Sequence, residues 1–192
     1  MAKSPAQERT IHEAPLDYAA RLERRDPATL DLIVIHCTEL PDLTTAREFG
    51  ERIHYPESGT GNAGHFYIDR DGSVHCWVPV SRVAHHTRGY NERSVGIELV
   101  NRGRWPDWYD SRCQDMTEPY TEEQVGALCW LLEQLKALAP GLRWVAGHDQ
   151  LDRALVAASD DPGKKVSRKL DPGPMFPWPD ILASTTLEPF AG

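Results

Sequence analysis

A chain of 192 residues, 40% hydrophobic and 26% charged, is long enough to bury a sizeable core and fits one globular domain. A formal net charge of −8 with no basic stripe argues against a nucleic-acid binder held by phosphate contacts. Residues 1–26 contain no apolar run that would serve as a secretory signal or span a bilayer, so the chain is expected to be soluble and to begin in a cytoplasm. The four cysteines, Cys37, Cys76, Cys113 and Cys129, lack any Cys-x-x-Cys spacing and are expected as reduced thiols.

In chain order, residues 1–28 read as an N-terminal arm with a short helix over residues 16–25, and the folded domain is expected to run from 29 to 184. Leu32-Ile33-Val34-Ile35 is a β-branched run suited to a buried central strand, and it places His36 at the strand's carboxyl end. Thr44 or Thr45 is expected to cap a helix reaching Ile53, followed by a Gly-rich surface loop over residues 56–62. His65 to Ile68 and Val74 to Val78, separated by Asp71-Gly72, predict a β-hairpin. Ser94 to Val100 is a further strand, and Glu98 is its one charged residue, flanked by Ile97 and Leu99.

Thr121-Glu122-Glu123-Gln124 has capping-box spacing, and Val125, Leu128, Cys129, Leu132 and Leu135 follow with helical period until Pro140-Gly141. Arg143 to Gly147 is a short strand that sets a second histidine, His148, at a strand end. Residues 185–192 read as a C-terminal tail. Strands mixed with helices predict an α/β fold: a single domain with a central mixed β-sheet flanked by helices and an active-site groove at one edge of the sheet.

Of the eight histidines, most are expected to be ordinary surface or hydrogen-bonded residues. His36 and His148 stand apart through their shared placement, and Asp171 lies in the turn-rich stretch Lys169-Leu170-Asp171-Pro172-Gly173-Pro174. Two imidazoles and a carboxylate make a hydrolytic zinc site with an open fourth position. No short ligand motif such as His-Glu-x-x-His is present, so spacing alone supports a metal site without defining it.

Five segments occur together in order: Val34-Ile35-His36-Cys37-Thr38; His65-Phe66-Tyr67-Ile68-Asp69-Arg70-Asp71-Gly72; Ser94-Val95-Gly96-Ile97-Glu98-Leu99-Val100-Asn101; Gly147-His148; and Arg168-Lys169-Leu170-Asp171-Pro172-Gly173-Pro174. In this the chain resembles the type 2 N-acetylmuramoyl-L-alanine amidases, relatives of phage lysozyme-amidases and peptidoglycan recognition proteins, over roughly residues 30–178. The resemblance implies one catalytic Zn2+ bound by His36, His148 and Asp171, with Glu98 as the catalytic acidic residue and Lys169 as the catalytic lysine. It implies peptidoglycan or a muropeptide as substrate, and substrate contacts from the stretch holding His86 and Asn91.

Each assignment has a bland counterpart. Glu98 is equally suited to an ion pair with Arg93 or Arg102, and Lys169 to a solvated basic cluster with Lys164, Lys165 and Arg168. Cys37 adjoins His36, but strand neighbours face opposite ways, so it reads as a small core residue. Trp105 and Trp108 are expected to cover the core rather than line a sugar groove. The segment from 149 to 168 is longer than in compact relatives and carries Asp152, Asp160 and Asp161 as rival ligands; it is expected to form a lid or wall over the groove. A silent peptidoglycan-binding module and a zinc peptidase cutting within the stem peptide remain the alternative functions. Muropeptide recycling, phage lysis and signal-independent export share the amidase chemistry, and no sequence feature sets the oligomeric state.

Overall fold

The apolar runs named above form the central strands and the long helix of the computed structural model, which describes residues 9–191. In chain order the elements are β1 (Ile11–Glu13), β2 (Leu32–Cys37), α1 (Leu43–Gly50), β3 (Phe66–Ile68), β4 (Val74–Cys76), β5 (Ser94–Leu99), α2 (Glu122–Leu138), β6 (Trp144–Gly147), α3 (His148–Leu151), β7 (Leu155–Ala157), β8 (Lys165–Ser167), α4 (Trp178–Ser184) and β9 (Glu188–Pro189). Seven strands make one mixed sheet in the order β1-β4-β3-β5-β2-β6-β9, and β7 and β8 make a separate antiparallel hairpin.

β2 is buried along its whole length, flanked in parallel by β5 and β6, as its unbroken apolar run requires. Strand alternation sorts its two faces. Ile33 and Ile35 join Val95, Ile97 and Leu99 in the main core under α2, while Leu32 and Val34 point the other way, as does His36. β3 and β4 form the expected antiparallel hairpin, with Gly72 at φ +80° in its turn.

The capping box of α2 is formed: Thr121 Oγ1 accepts from Gln124 N at 3.0 Å, and Gln124 Oε1 accepts from Thr121 N at 3.2 Å. Gln124 Nε2 also donates to Val100 O at 2.8 Å and to Ile68 O at 3.3 Å, which ties the helix start to the ends of β3 and β5. α1 starts one turn differently from expectation. Asp42, not Thr44 or Thr45, is its cap, through Oδ1 and Thr45 N at 2.7 Å, and the helix ends at Gly50 rather than Ile53.

The described part of the expected arm belongs to the sheet. β1 pairs in parallel with β4, and Leu16, Tyr18, Ala19 and Leu22 are buried against Trp77 and Val78. A three-residue turn of 3-10 helix at Ala19–Arg21 stands where a helix was expected. The Tyr18 hydroxyl donates to Gly50 O at 2.8 Å, locking this segment to α1. Burial of four apolar side chains explains why the segment docks rather than trails; residues 1–8 lie outside the described part. The expected tail likewise buries Leu187 and pairs β9 with β6. Among the described residues no helix is long and apolar enough to cross a membrane.

Candidate active site

Three neighbouring parallel strands deliver the site. His36 lies near the carboxyl end of β2, Glu98 is its register partner near the end of β5, and His148 follows β6 directly. The groove edge is therefore formed by carboxyl ends of parallel strands, where loops diverge and leave a crevice. On β5 Ser94, Gly96 and Glu98 alternate with Val95, Ile97 and Leu99 of the core, so the Glu98 side chain emerges on the same face as His36. Two glycines make room there. A Cβ on Gly64 would stand 2.8 Å from Glu98 Cγ, and one on Gly96 would stand 2.6 Å from the His86 ring.

His36, His148 and Asp171 meet in one buried cluster, each 2% exposed. Asp171 Oδ2 lies 2.9 Å from His36 Nδ1 and 3.0 Å from His148 Nδ1. Glu98 Oε1 stands 3.9 Å from the same His36 nitrogen. The second carboxylate oxygen, Asp171 Oδ1, is buried with no hydrogen-bond partner among the described residues, as is His148 Nε2. An unpartnered buried carboxylate oxygen is costly unless a cation or donor completes it, and two neutral imidazoles with one carboxylate are the donor set of a hydrolytic divalent-metal site. The residues present fit such a group.

The electrostatics follow from burial. Burial, and then the neighbouring His148, depress His36 to about 4. Burial alone would raise the Asp171 carboxyl, but His148 and Lys169 facing it hold it well below the usual carboxylate range. Glu98 goes the other way: burial and the Asp171 charge push it well above its ordinary value, against the pull of Lys169. Two carboxylates in one site are thus driven apart, one kept ionised and one able to carry a proton.

This has a consequence for acid stability. His36 titrates near 6.5 when unfolded and near 4 when folded, so the unfolded chain binds more protons in that window and metal-free stability falls as pH drops through it. From His36 alone the expected loss between pH 7 and pH 5 is about 2 kcal/mol. The buried rings of His65 and His86, also depressed, add to it. The raised Glu98 and Asp149 act oppositely, their contributions falling as pH rises above the unfolded carboxyl values, against the four depressed histidines His36, His65, His75 and His86. Urea midpoints at the two pH values check the sign.

Neither arginine offered as a partner for Glu98 takes it. Arg93 pairs with Asp31, and Arg102, whose backbone N donates to Glu118, makes no ion pair with Glu98. The rival carboxylates are all engaged elsewhere: Asp152 with Arg168, Asp160 with Ser111, and Asp161 with Lys164. Lys164 and Arg168 thereby have partners, whereas Lys169 lines the cleft and its charge acts on His36, Glu98 and Asp171.

The cleft has two adjoining lobes of about 420 and 350 Å³ that share Asn62, His85, His86, His148, Arg168 and Lys169. Trp108 packs edge-on against Phe49 and Trp105, as the core-covering reading expects, and also lines the larger lobe. The segment after α3 folds as the β7–β8 hairpin and contributes Arg168 and Lys169 to the wall. His86 faces the cleft but is hydrogen-bonded to His36, while Asn91 Oδ1 accepts from the backbone N of His86 and Thr87 at 3.0 and 2.7 Å. Tyr67, the register neighbour of Glu98 on β3, also lines the larger lobe and was not singled out from sequence. Its signal was present, since it alternates with the core residues Phe66 and Ile68.

Fold and site together define an α/β enzyme whose cleft is built around a cluster able to hold a cation. The family described as N-acetylmuramoyl-L-alanine amidase matches residues 26–174. The endolysin of Enterobacteria phage T3 is 29% identical over 136 residues, 70% of this chain and 85% of the endolysin. Among solved structures, the N-acetylmuramoyl-L-alanine amidase LysC from Clostridium intestinale shares the fold at 22% identity and a TM-score of 0.64, covering 93% of this chain and 99% of that one. The amidase AmiD from E. coli, in complex with the substrate anhydro-N-acetylmuramic acid-L-Ala-D-gamma-Glu-L-Lys, does so at 22% identity and 0.61, covering 84% and 61%. The chain belongs to the type 2 N-acetylmuramoyl-L-alanine amidase family, and it is an amide hydrolase of that class.

Proposed function

We propose that this chain is a zinc-dependent amidase that cleaves the bond between N-acetylmuramic acid, or its anhydro form, and L-alanine in peptidoglycan or muropeptides. The observation that carries the reading is the convergence of His36 Nδ1 and His148 Nδ1 on Asp171 Oδ2, beside a protonatable Glu98. A bound zinc ion supplies Lewis-acid chemistry, polarising a carbonyl and lowering the pKa of water to about 7.

The remaining roles belong to the chain's own side chains. Glu98 accepts the proton of the attacking water and delivers one to the leaving amine of L-alanine, which departs poorly unless protonated. Its raised affinity for a proton suits both halves of that transfer. Lys169, on the cleft wall, sets a positive charge toward the oxygen that becomes negative when the carbonyl is attacked. The likeness to phage endolysins supports intact wall as a substrate, and the ligand named for the E. coli amidase supports fragments.

The test is incubation with a defined muropeptide, with chelator and with added zinc, and identification of products by mass spectrometry. The expected result is an intact peptide beginning with L-alanine, released from the muramyl sugar, lost on chelation and restored by zinc. Cleavage inside the stem peptide would replace the reading with a peptidase. No cleavage of either fragments or sacculi by zinc-loaded protein would leave a binding module.

A further inference from the structure

Resting on the metal reading above, we propose that His86, acting through Ser94, is a positioning residue that fixes the tautomer and ring orientation of the metal ligand His36. The argument starts from the far end of a hydrogen-bond chain whose last member can only accept. Tyr90 O is a backbone carbonyl, and Ser94 Oγ lies 2.7 Å from it, so the serine hydroxyl donates there. Its single proton thus committed, Ser94 Oγ faces His86 Nε2 at 3.2 Å as an acceptor, which puts the His86 proton on Nε2. His86 Nδ1 is then a bare lone pair, 3.0 Å from His36 Nε2, and accepts its proton. His36 Nδ1 is left unprotonated, and that is the atom at the metal cluster, 2.9 Å from Asp171 Oδ2. Thr87 Oγ1, 2.9 Å from His86 Nδ1 and 3.3 Å from His36 Nε2, can accept the same His36 proton while donating to His86, and both routes leave the lone pair where a metal needs it.

The surroundings hold His86 to this task. Gly96 admits its ring, since a Cβ there would collide with it. Asn91 Oδ1 pins the backbone of residues 86 and 87, and Thr87 Oγ1 lies 2.9 Å from His86 Nδ1, flanking the same contact. The edge of the His65 ring packs on His86 at 5.5 Å between centroids, and His65 is itself fixed by accepting from Gly96 N at 3.0 Å. His86 and Asn91, expected from the resemblance as substrate contacts, are thereby assigned to the support of a ligand. His148 has no counterpart, its Nε2 being buried with no protein partner among the described residues.

The experiment measures zinc affinity by chelator competition, the melting temperature of metal-free protein, and the His36 tautomer by long-range proton–nitrogen NMR. His86→Leu removes the acceptor at similar bulk and is expected to weaken zinc binding by about 10–100-fold. His86→Asn returns an oxygen acceptor near the Nδ1 position and is expected to recover most of that loss. Ser94→Ala leaves His86 free to choose its proton and is expected to mix the His36 tautomers that wild type holds as Nε2–H. Unchanged zinc affinity in His86→Leu with a raised KM would make His86 a substrate contact and overturn the proposal. Should His86→Leu fail to fold, the wild-type spectrum still decides, because a His36 proton on Nδ1 in metal-free protein overturns it too. Wild-type protein that takes up no zinc overturns the metal reading itself, and the nitrogen spectrum still tells whether the chain sets the tautomer.

Discussion

Glu98→Gln is expected to lower kcat by about 10²–10⁴ while zinc uptake and melting temperature stay close to wild type. The substitution keeps the shape of a side chain that sits between Gly64 and the His36 face, so packing survives. What is lost is a site that can take a proton and give it back. The amide can still enter, so KM should change little, and the loss belongs to the chemical step. Removing a buried carboxyl that is driven toward its protonated form costs little stability. A purely structural Glu98 predicts the reverse: kcat near wild type with a lowered melting temperature. Measured zinc content separates both from ligand loss, the outcome expected for changes at the proposed ligands His36, His148 and Asp171.

The site's legibility in sequence tracks how local its causes are. His36 was readable because an apolar strand run ends on it, and His148 because a short strand and a glycine precede it. Both causes lie within six residues. Glu98 stood out as a lone charge, yet its facing depends on an alternation, Ser94, Gly96, Glu98, that was readable and went unread as a polar stripe. Asp171 needed its local motif, because only tertiary contacts show that Asp152, Asp160 and Asp161 are engaged elsewhere.

The role of His86 depends on Ser94, eight residues on, and on a strand far before it; neither periodicity nor spacing encodes such a triangle. The N-terminal segment was misjudged for a related reason. Leu16, Tyr18 and Leu22 stand two and four residues apart, which mixes strand and helix spacing, and their burial is set by the surface they meet at Trp77 and Val78.

Arg104→Ala is expected to destabilise the fold by about 3–5 kcal/mol and, separately, to slow the enzyme. Its guanidinium grips Glu39 with both forks, Nε to Oε1 at 2.6 Å and Nη2 to Oε2 at 2.9 Å, and both residues are nearly fully buried. Truncation leaves the buried Glu39 carboxylate with only the backbone N of residue 104, at 3.3 Å, in place of the guanidinium, at a residue whose backbone already sits at φ +49°. The second effect comes from the remaining nitrogen. Arg104 Nη1 donates to Ser167 O at 2.9 Å, and Ser167 ends β8, two residues before Lys169. Arg104 therefore ties the exit of β2 to the hairpin that carries Lys169 to the cleft. The paired change Glu39→Leu with Arg104→Leu separates the two effects, because removing both charges spares most of the stability cost but still frees the hairpin. Its denaturation midpoint should lie well above that of Arg104→Ala. Its kcat should still fall, by at most the roughly 10²–10³ that a missing oxyanion partner costs, with zinc affinity unchanged. Full activity in the paired variant would show that the hairpin holds Lys169 without help from Arg104.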